Sequence, residues 1–187
     1  MDAPRERLLA EATRQFVERG YDGASMQQIA DACGVTKAAL YYHYAGKADL
    51  LLGIVGAYLD EVAAVVTRAG EASGAPAQLD AVVRGLFALP VESRAVMRLA
   101  MHDLRHLPED CRAAFGVHYY ERFLAPLTAV VAGGMDAGAF ARRDPATVVW
   151  MLLGMLYPFF SGRPRDDEEQ VVTDLLAVLL DGLAPRP

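Results

Sequence analysis

Apolar residues recur at helical spacing along almost the whole chain, and no stretch alternates with the two-residue period of a strand. Leu8, Ala12 and Phe16, flanked by Leu9 and Val17, form the stripe of a first helix that Gly20 ends, with Phe16 and Tyr21 placed for the apolar contact that closes such an end. Ser25 and Gln28 have capping-box spacing ahead of a short helix whose Ile29, Ala30 and Cys33 share one face. Gly34 stands where a helix ends in a left-handed residue, and Thr36 caps the next helix, with Val35 and Leu40 spaced as an apolar staple. Residues 47–68 form one long helix with Leu51, Ile54, Tyr58, Val62 and Val65 on a face. After the linker-like run 70–75, Pro76 opens a helix carrying Leu79, Val82, Val83, Leu86 and Phe87, and another spans about 92–105.

Further helices complete the pattern. Pro108, Glu109 and Asp110 open a longer one with Phe115, Tyr119, Phe123, Leu127 and Val130 on its buried side, closed by Gly138 and Phe140. Pro126 lies inside it, so a kink is expected about one turn earlier. Asp144 and Pro145 start a helix that is apolar almost all round through Trp150, Met151, Leu153, Met155, Leu156 and Phe159. Asp166 with Glu169 has the spacing to cap a last helix, whose Val171, Val172, Leu175, Leu176, Leu179, Leu180 and Leu183 form a second apolar face. The expectation is an all-α chain of about nine helices.

Within it, the stretch 25–47, SMQQIADACGVTKAALYYHYAGK, differs in chemistry. Its second helix offers Thr36, Lys37, Tyr41, Tyr42, His43 and Tyr44 in barely two turns, too many hydroxyl, ammonium and imidazole groups for a core helix. Helix, glycine turn, helix is the unit whose second helix can enter a major groove. Lys47 follows Gly46 into the first turn of the long helix, where the dipole disfavours a cation. A phosphate bound at that start reverses the sign, because the free N–H groups and the ammonium then face an anion.

The run from Phe16 through GYDGASMQQIADACGVTKAALYYHYAGKADLL resembles the DNA-binding domain of the TetR family of bacterial transcriptional repressors. The likeness covers roughly the first fifty residues. It implies a three-helix helix-turn-helix domain over 1–47 and a helical domain over 48–187 that binds a small ligand and dimerises, with repression of a palindromic operator relieved by the ligand. By position, the family's DNA contacts fall on Gln27, Thr36, Lys37, Tyr41, Tyr42, His43 and Lys47, with Ser25 and Ala38 in the same surface; many relatives carry glycine where this chain has Ala38.

Composition modifies the picture in three places. A net charge of −6 over 187 residues runs against DNA binding, but between Ser25 and Lys47 the formal charges are Lys37, Lys47 and Asp31, so the tip itself is mildly positive. Arg5 and Arg7, expected ahead of the first helix, add two more cations for phosphate. Affinity per domain is then modest, which makes a dimer the natural route to a useful one. Cys33 and Cys111 are too few for a disulfide framework, no apolar leader opens the chain, and the longest apolar run, 148–160, falls short of the ~20 residues that cross a bilayer, so a soluble cytoplasmic protein is expected.

The helices of residues 145–160 and 167–183 carry more apolar surface than one small domain covers, and a symmetric four-helix bundle of two chains disposes of it. Tyr58, Met97, Met101, His102, Phe115, Tyr119, Phe123, Met151 and Met155 recur at helical spacing as adaptable or amphipathic side chains, which suits a mostly apolar, aromatic or cationic ligand; an ordinary methionine-bearing core is the competing reading. No cofactor is expected. His102 and His106, four apart, with His118 further on, invite a rival in which the chain is a metal sensor or metal-dependent enzyme, although no HExxH, paired CxxC, phosphate loop or nucleophile elbow accompanies them.

Overall fold

The computed structural model describes residues 3–160 and 166–185, and among these it is helical with no strand. The helices are α1 (Ala3–Gly23), α2 (Met26–Cys33), α3 (Lys37–His43), α4 (Lys47–Ala69), α5 (Ala75–Phe87), α6 (Val91–His102), α7 (Glu109–Tyr119), α8 (Ala125–Asp136), α9 (Pro145–Leu156) and α10 (Glu168–Leu183). Helices α7 and α8 are one bent rod, so nine helical rods are present among the described residues. The bend is a π turn at Tyr120–Leu124, immediately before Pro126, as expected. Pro126 has no N–H to offer the carbonyl of Arg122 and its ring crowds that oxygen, so the ladder widens there. Helix α1 breaks at Gly20 (φ 72°, ψ 170°) and resumes to Gly23, and Arg5 and Arg7 lie inside it rather than ahead of it. The turn at 104–106 is a separate 3-10 turn, Leu104–His106, where the pattern suggested a continuous helix to about residue 105.

The chain forms two compact units whose limits differ from a division after residue 47. One holds the described residues up to Tyr58 together with Ala95–Val117; the other holds Leu59–Arg94 and the described residues from His118 onward. Helix α4 therefore contributes to both. In the first unit α1 packs on α2 and α2 on α3, around buried Leu8, Ala12, Phe16, Ile29, Leu40, Tyr44, Leu50 and Leu51. Buried Gln15 donates to Glu11 and to the Gln28 carbonyl, and Arg98 of α6 donates to the Val17 carbonyl at 2.9 Å, which ties the later segment to α1.

In the second unit α5 packs on α8 and α10, and α8 on α9, around Leu79, Val82, Leu86, Leu127, Val131, Leu152 and Leu156. Gly134 allows the closest approach: a Cβ there would lie 2.3 Å from Phe140 Cδ2 and 2.6 Å from Ala75 Cβ. Asp144 caps α9, accepting from the Thr147 hydroxyl at 2.6 Å and from the Thr147 backbone N–H at 2.7 Å, and these hydrogen bonds hold its carboxyl below the usual range. The expected Asp166–Glu169 cap does not form. Helix α10 starts after Asp167 without a side-chain cap, and its first-turn acids are drawn elsewhere: Glu168 pairs with Arg94 at 2.7 Å and Glu169 with Arg84 at 2.8 Å. Arg94 is only 5% exposed and lies against the rings of Phe87 and Phe160.

Two apolar features bear on assembly and on membranes. On α9 and α10 the large side chains Trp150, Met151 and Val178 remain 58%, 63% and 65% exposed. By length and hydropathy the helix that could cross a bilayer is α4, 23 residues, and not the run 148–160; 56% of its apolar window is buried in the fold, as in a core helix.

Candidate nucleic-acid interface

The surface around α2, α3 and the start of α4 is built by local chemistry. Ser25 closes the expected capping box: its hydroxyl accepts from the Gln28 N–H at 3.2 Å, and the Gln28 side chain accepts from the Ser25 N–H at 3.2 Å. Gly34 ends α2 with φ 68° and ψ 29°, a conformation a Cβ disfavours. Thr36 caps α3, its oxygen accepting from the Ala39 N–H at 3.1 Å, so its hydroxyl proton stays available outward. With its first turn capped by Thr36, a helix of only seven residues is held against α2 chiefly by one buried side chain, Leu40.

That economy leaves the rest of α3 outward. Lys37, Ala38, Tyr41 and Tyr42 are exposed, Tyr42 at 87%, while His43 is half-buried and meets the Tyr42 ring edge-on at 5.3 Å. Lys37 Nζ lies 5.9 Å from the Tyr41 ring centre, so ammonium and phenol are offered together. Gln27 is exposed on α2, its amide donating to Asp31 at 2.7 Å, and Ser25 is engaged in its cap. Tyr44, in the sequence part of the same aromatic tip, is instead 2% exposed, and burial pushes its phenol up. It is a strut beneath the surface: a Cβ on Gly53 would come 3.2 Å from its ring.

Helix α4 begins beside this surface. The Gly46 carbonyl accepts from Leu50, and Asp49, overlooked in the sequence, accepts from the Ala45 N–H at 2.9 Å. Lys47 Nζ lies 4.3 Å from the centre of the Tyr21 ring. The site thus joins a groove-sized helix bearing a cation and two phenols to a helix start bearing a second cation. It can meet base edges with the first and a phosphate with the second.

The ligand candidates divide between the units. Tyr58, Met97, Met101, His102 and Phe115 belong to the first, where Tyr58 and Phe115 are buried, Met97 is half-buried, and Met101 and His102 are exposed. Tyr119, Phe123, Met151 and Met155 belong to the second. There Phe123 is buried against Tyr119, ring centres 5.5 Å apart, burial pushes the Tyr119 phenol up to about 12, and Met151 lies on the exposed face of α9 beside Trp150. A cleft of about 550 Å³, lined by Asp60, Ala63, Ala64, Thr67, Arg68, Arg122 and Pro126, opens beside the π turn, and Arg122 pairs with Asp60. None of its residues was among the candidates, because nothing local announces a groove between two helices far apart in sequence.

The metal reading is not supported. Among the described residues no group of three or more His, Cys, Asp and Glu side chains is arranged to hold an ion. His106 instead stacks on Tyr21, and His102 is exposed at the end of α6. Cys33 is half-buried 4.0 Å from the Arg7 carbonyl, and burial pushes its thiol up.

Fold and site together define a helical regulatory protein of the helix-turn-helix class. The chain belongs to the TetR family: residues 8–54 match the model of bacterial regulatory proteins of the tetR family, and residues 72–183 match the tetracyclin repressor-like C-terminal domain. Among its relatives is the HTH-type transcriptional activator FasR of Mycolicibacterium smegmatis, 40% identical over 68 residues, which are 36% of this chain and 31% of FasR. The HTH-type transcriptional repressor KstR2 of Rhodococcus jostii is 26% identical over 190 residues, 96% of this chain and 91% of KstR2. The structure is also similar to that of AibR in complex with isovaleryl coenzyme A and operator DNA, with a TM-score of 0.82, 27% identity and coverage of 95% of this chain and 98% of AibR.

Proposed function

We propose that this protein is a ligand-responsive, DNA-binding transcriptional repressor that holds a palindromic operator as a homodimer and leaves it when a small, mostly apolar molecule binds. The observation that carries this is the N-capped α3, which spends one buried residue on the fold and turns Lys37, Tyr41 and Tyr42 outward. Residues 1–47 are the reading head; residues 48–187 take the ligand and dimerise through 145–183, where Trp150, Met151 and Val178 await a partner. Ser25, Gln27, Thr36, Lys37, Ala38, Tyr41, Tyr42, His43 and Lys47 form the DNA surface, with Lys47 on a phosphate. The protein acts in the cytoplasm and is not an enzyme.

The ligand candidates are those the sequence offers, Tyr58, Met97, Met101, His102 and Phe115 in the first unit and Tyr119, Phe123, Met151 and Met155 in the second. Release works through α4, which starts at Lys47 and continues into the second unit. Tilting it changes the separation of two reading helices whose half-sites stay about 34 Å apart on the duplex. Such coupling of ~1–3 kcal/mol is reciprocal by necessity. The test selects bound duplexes from random DNA, then measures ligand affinity with and without saturating operator, beginning with isovaleryl coenzyme A because AibR is similar. Operator that leaves the affinity of every binding ligand unchanged refutes this account of induction.

A further inference from the structure

The Tyr21 ring is a junction in the first unit. It follows the Gly20 break in α1, and its centre lies 5.7 Å from that of Phe16, 4.4 Å from the His106 imidazole and 4.3 Å from Lys47 Nζ. The His106 and Tyr21 planes differ by only 13°, a stacked contact. His106 ends the 3-10 turn after α6, and its Nε2 lies 3.8 Å from Asp103 and 3.9 Å from Asp22. Phe16, which holds the ring from the core side, is fully buried.

A lysine side chain is long and loses rotamer freedom when it is pinned on a phosphate. A carboxylate would orient the ammonium but would also neutralise it. An aromatic face orients it and leaves its charge and its N–H donors for another partner. Pre-organisation of this kind lowers the ordering cost of binding. We propose that Tyr21 is the positioning residue for Lys47 at the operator backbone, and that His106, stacked on the same ring, makes that positioning depend on the turn at the end of α6. The proposal rests on the reading of Lys47 as a phosphate anchor. It goes further by naming what aims the lysine and a segment, 104–106, whose displacement would release it.

The experiment uses the full-length protein and a duplex selected from random DNA. Tyr21→Phe, Tyr21→Leu and His106→Leu are each made alone and with Lys47→Ala. Tyr21→Phe keeps the ring and should bind as the parent does. Tyr21→Leu should weaken binding by about two- to fivefold per protomer, hence about four- to twenty-fivefold for a dimer with two copies, and His106→Leu by less. With Lys47→Ala present, neither leucine variant should cost anything more. Equal losses in both backgrounds would mean that the ring only packs α1, and the proposal would fail. A second readout needs no DNA: the Lys47 Cε protons should be shifted upfield by the ring current in the parent and in Tyr21→Phe, less so in His106→Leu, and not in Tyr21→Leu. No such shift in the parent overturns the proposal outright. A shift that is present while Lys47→Ala leaves affinity and salt dependence untouched sinks the phosphate reading and the DNA role of the clamp, and leaves the clamp as a structural contact.

Discussion

Replacing Trp150 by glutamate tests the dimer face with the most leverage for the least damage to the protomer. The indole is 58% exposed on α9, and Val178 of α10 and the neighbouring Met151 are similarly uncovered. A tryptophan buries roughly 150–250 Å² when fully covered, so about 100 Å² of this one remains for a partner to cover. At ~25 cal/mol per Å² that is about 2.5 kcal/mol, and two-fold symmetry doubles it to about 5 kcal/mol. Since ~1.4 kcal/mol is a factor of ten, the dimer constant of Trp150→Glu should weaken by about three powers of ten or more, the desolvation of the new carboxylate adding to the loss. Sedimentation velocity from nanomolar to micromolar protein reads this directly. The side chain makes little of the protomer's core, so the circular dichroism spectrum should hold while operator affinity falls with the dimer. A variant that stays dimeric at nanomolar concentration would show that this face is not the interface.

Three further outcomes follow from the same structure. Substituting Lys37 or Tyr41 by alanine should cost ~1–3 kcal/mol of operator affinity and relax preference at particular half-site positions, read by binding to a set of single-base operator variants; a uniform loss over all variants would assign the residue to the backbone. Gly134→Ala forces a methyl to within 2.6 Å of both Phe140 and Ala75, so it should destabilise by ~1–3 kcal/mol in thermal or urea unfolding, and Phe140→Leu in the same chain should recover part of the loss. Asp144 has a carboxyl pKa depressed by Thr147, so its contribution is present above the unfolded value of about 3.9 and lost as pH falls through the lower folded one; the gap in thermal midpoint between the parent and Asp144→Ala should therefore be full near neutrality and close in acid, and a gap independent of pH would refute the charge-based part of the cap.

Much of the local structure, the reading head above all, was legible in the residues because its determinants lie three or four positions apart. Ser25 with Gln28, Thr36 with Ala39, Gly34 at its left-handed turn and the Pro126 kink each act within one or two turns of backbone, the range over which sequence spacing is spatial spacing. The same holds for the apolar surplus on α9 and α10, which periodicity exposes because an all-round apolar helix needs cover from somewhere. What the tertiary structure alone decided joins residues tens of positions apart. Tyr44 and Tyr42 are the same residue type two positions apart in one motif, and only tertiary packing, with Gly53 beside its ring and Arg5 over it, buries the first and leaves the second outside. The pairing of Arg94 with Glu168, the contact of Tyr21 with both Lys47 and His106, and the assignment of Ala95–Val117 to the first unit are likewise long-range. A charged or aromatic side chain carries no mark of its distant partner, so local propensity determined which helices form, and burial and charge pairing across the fold determined what each one meets.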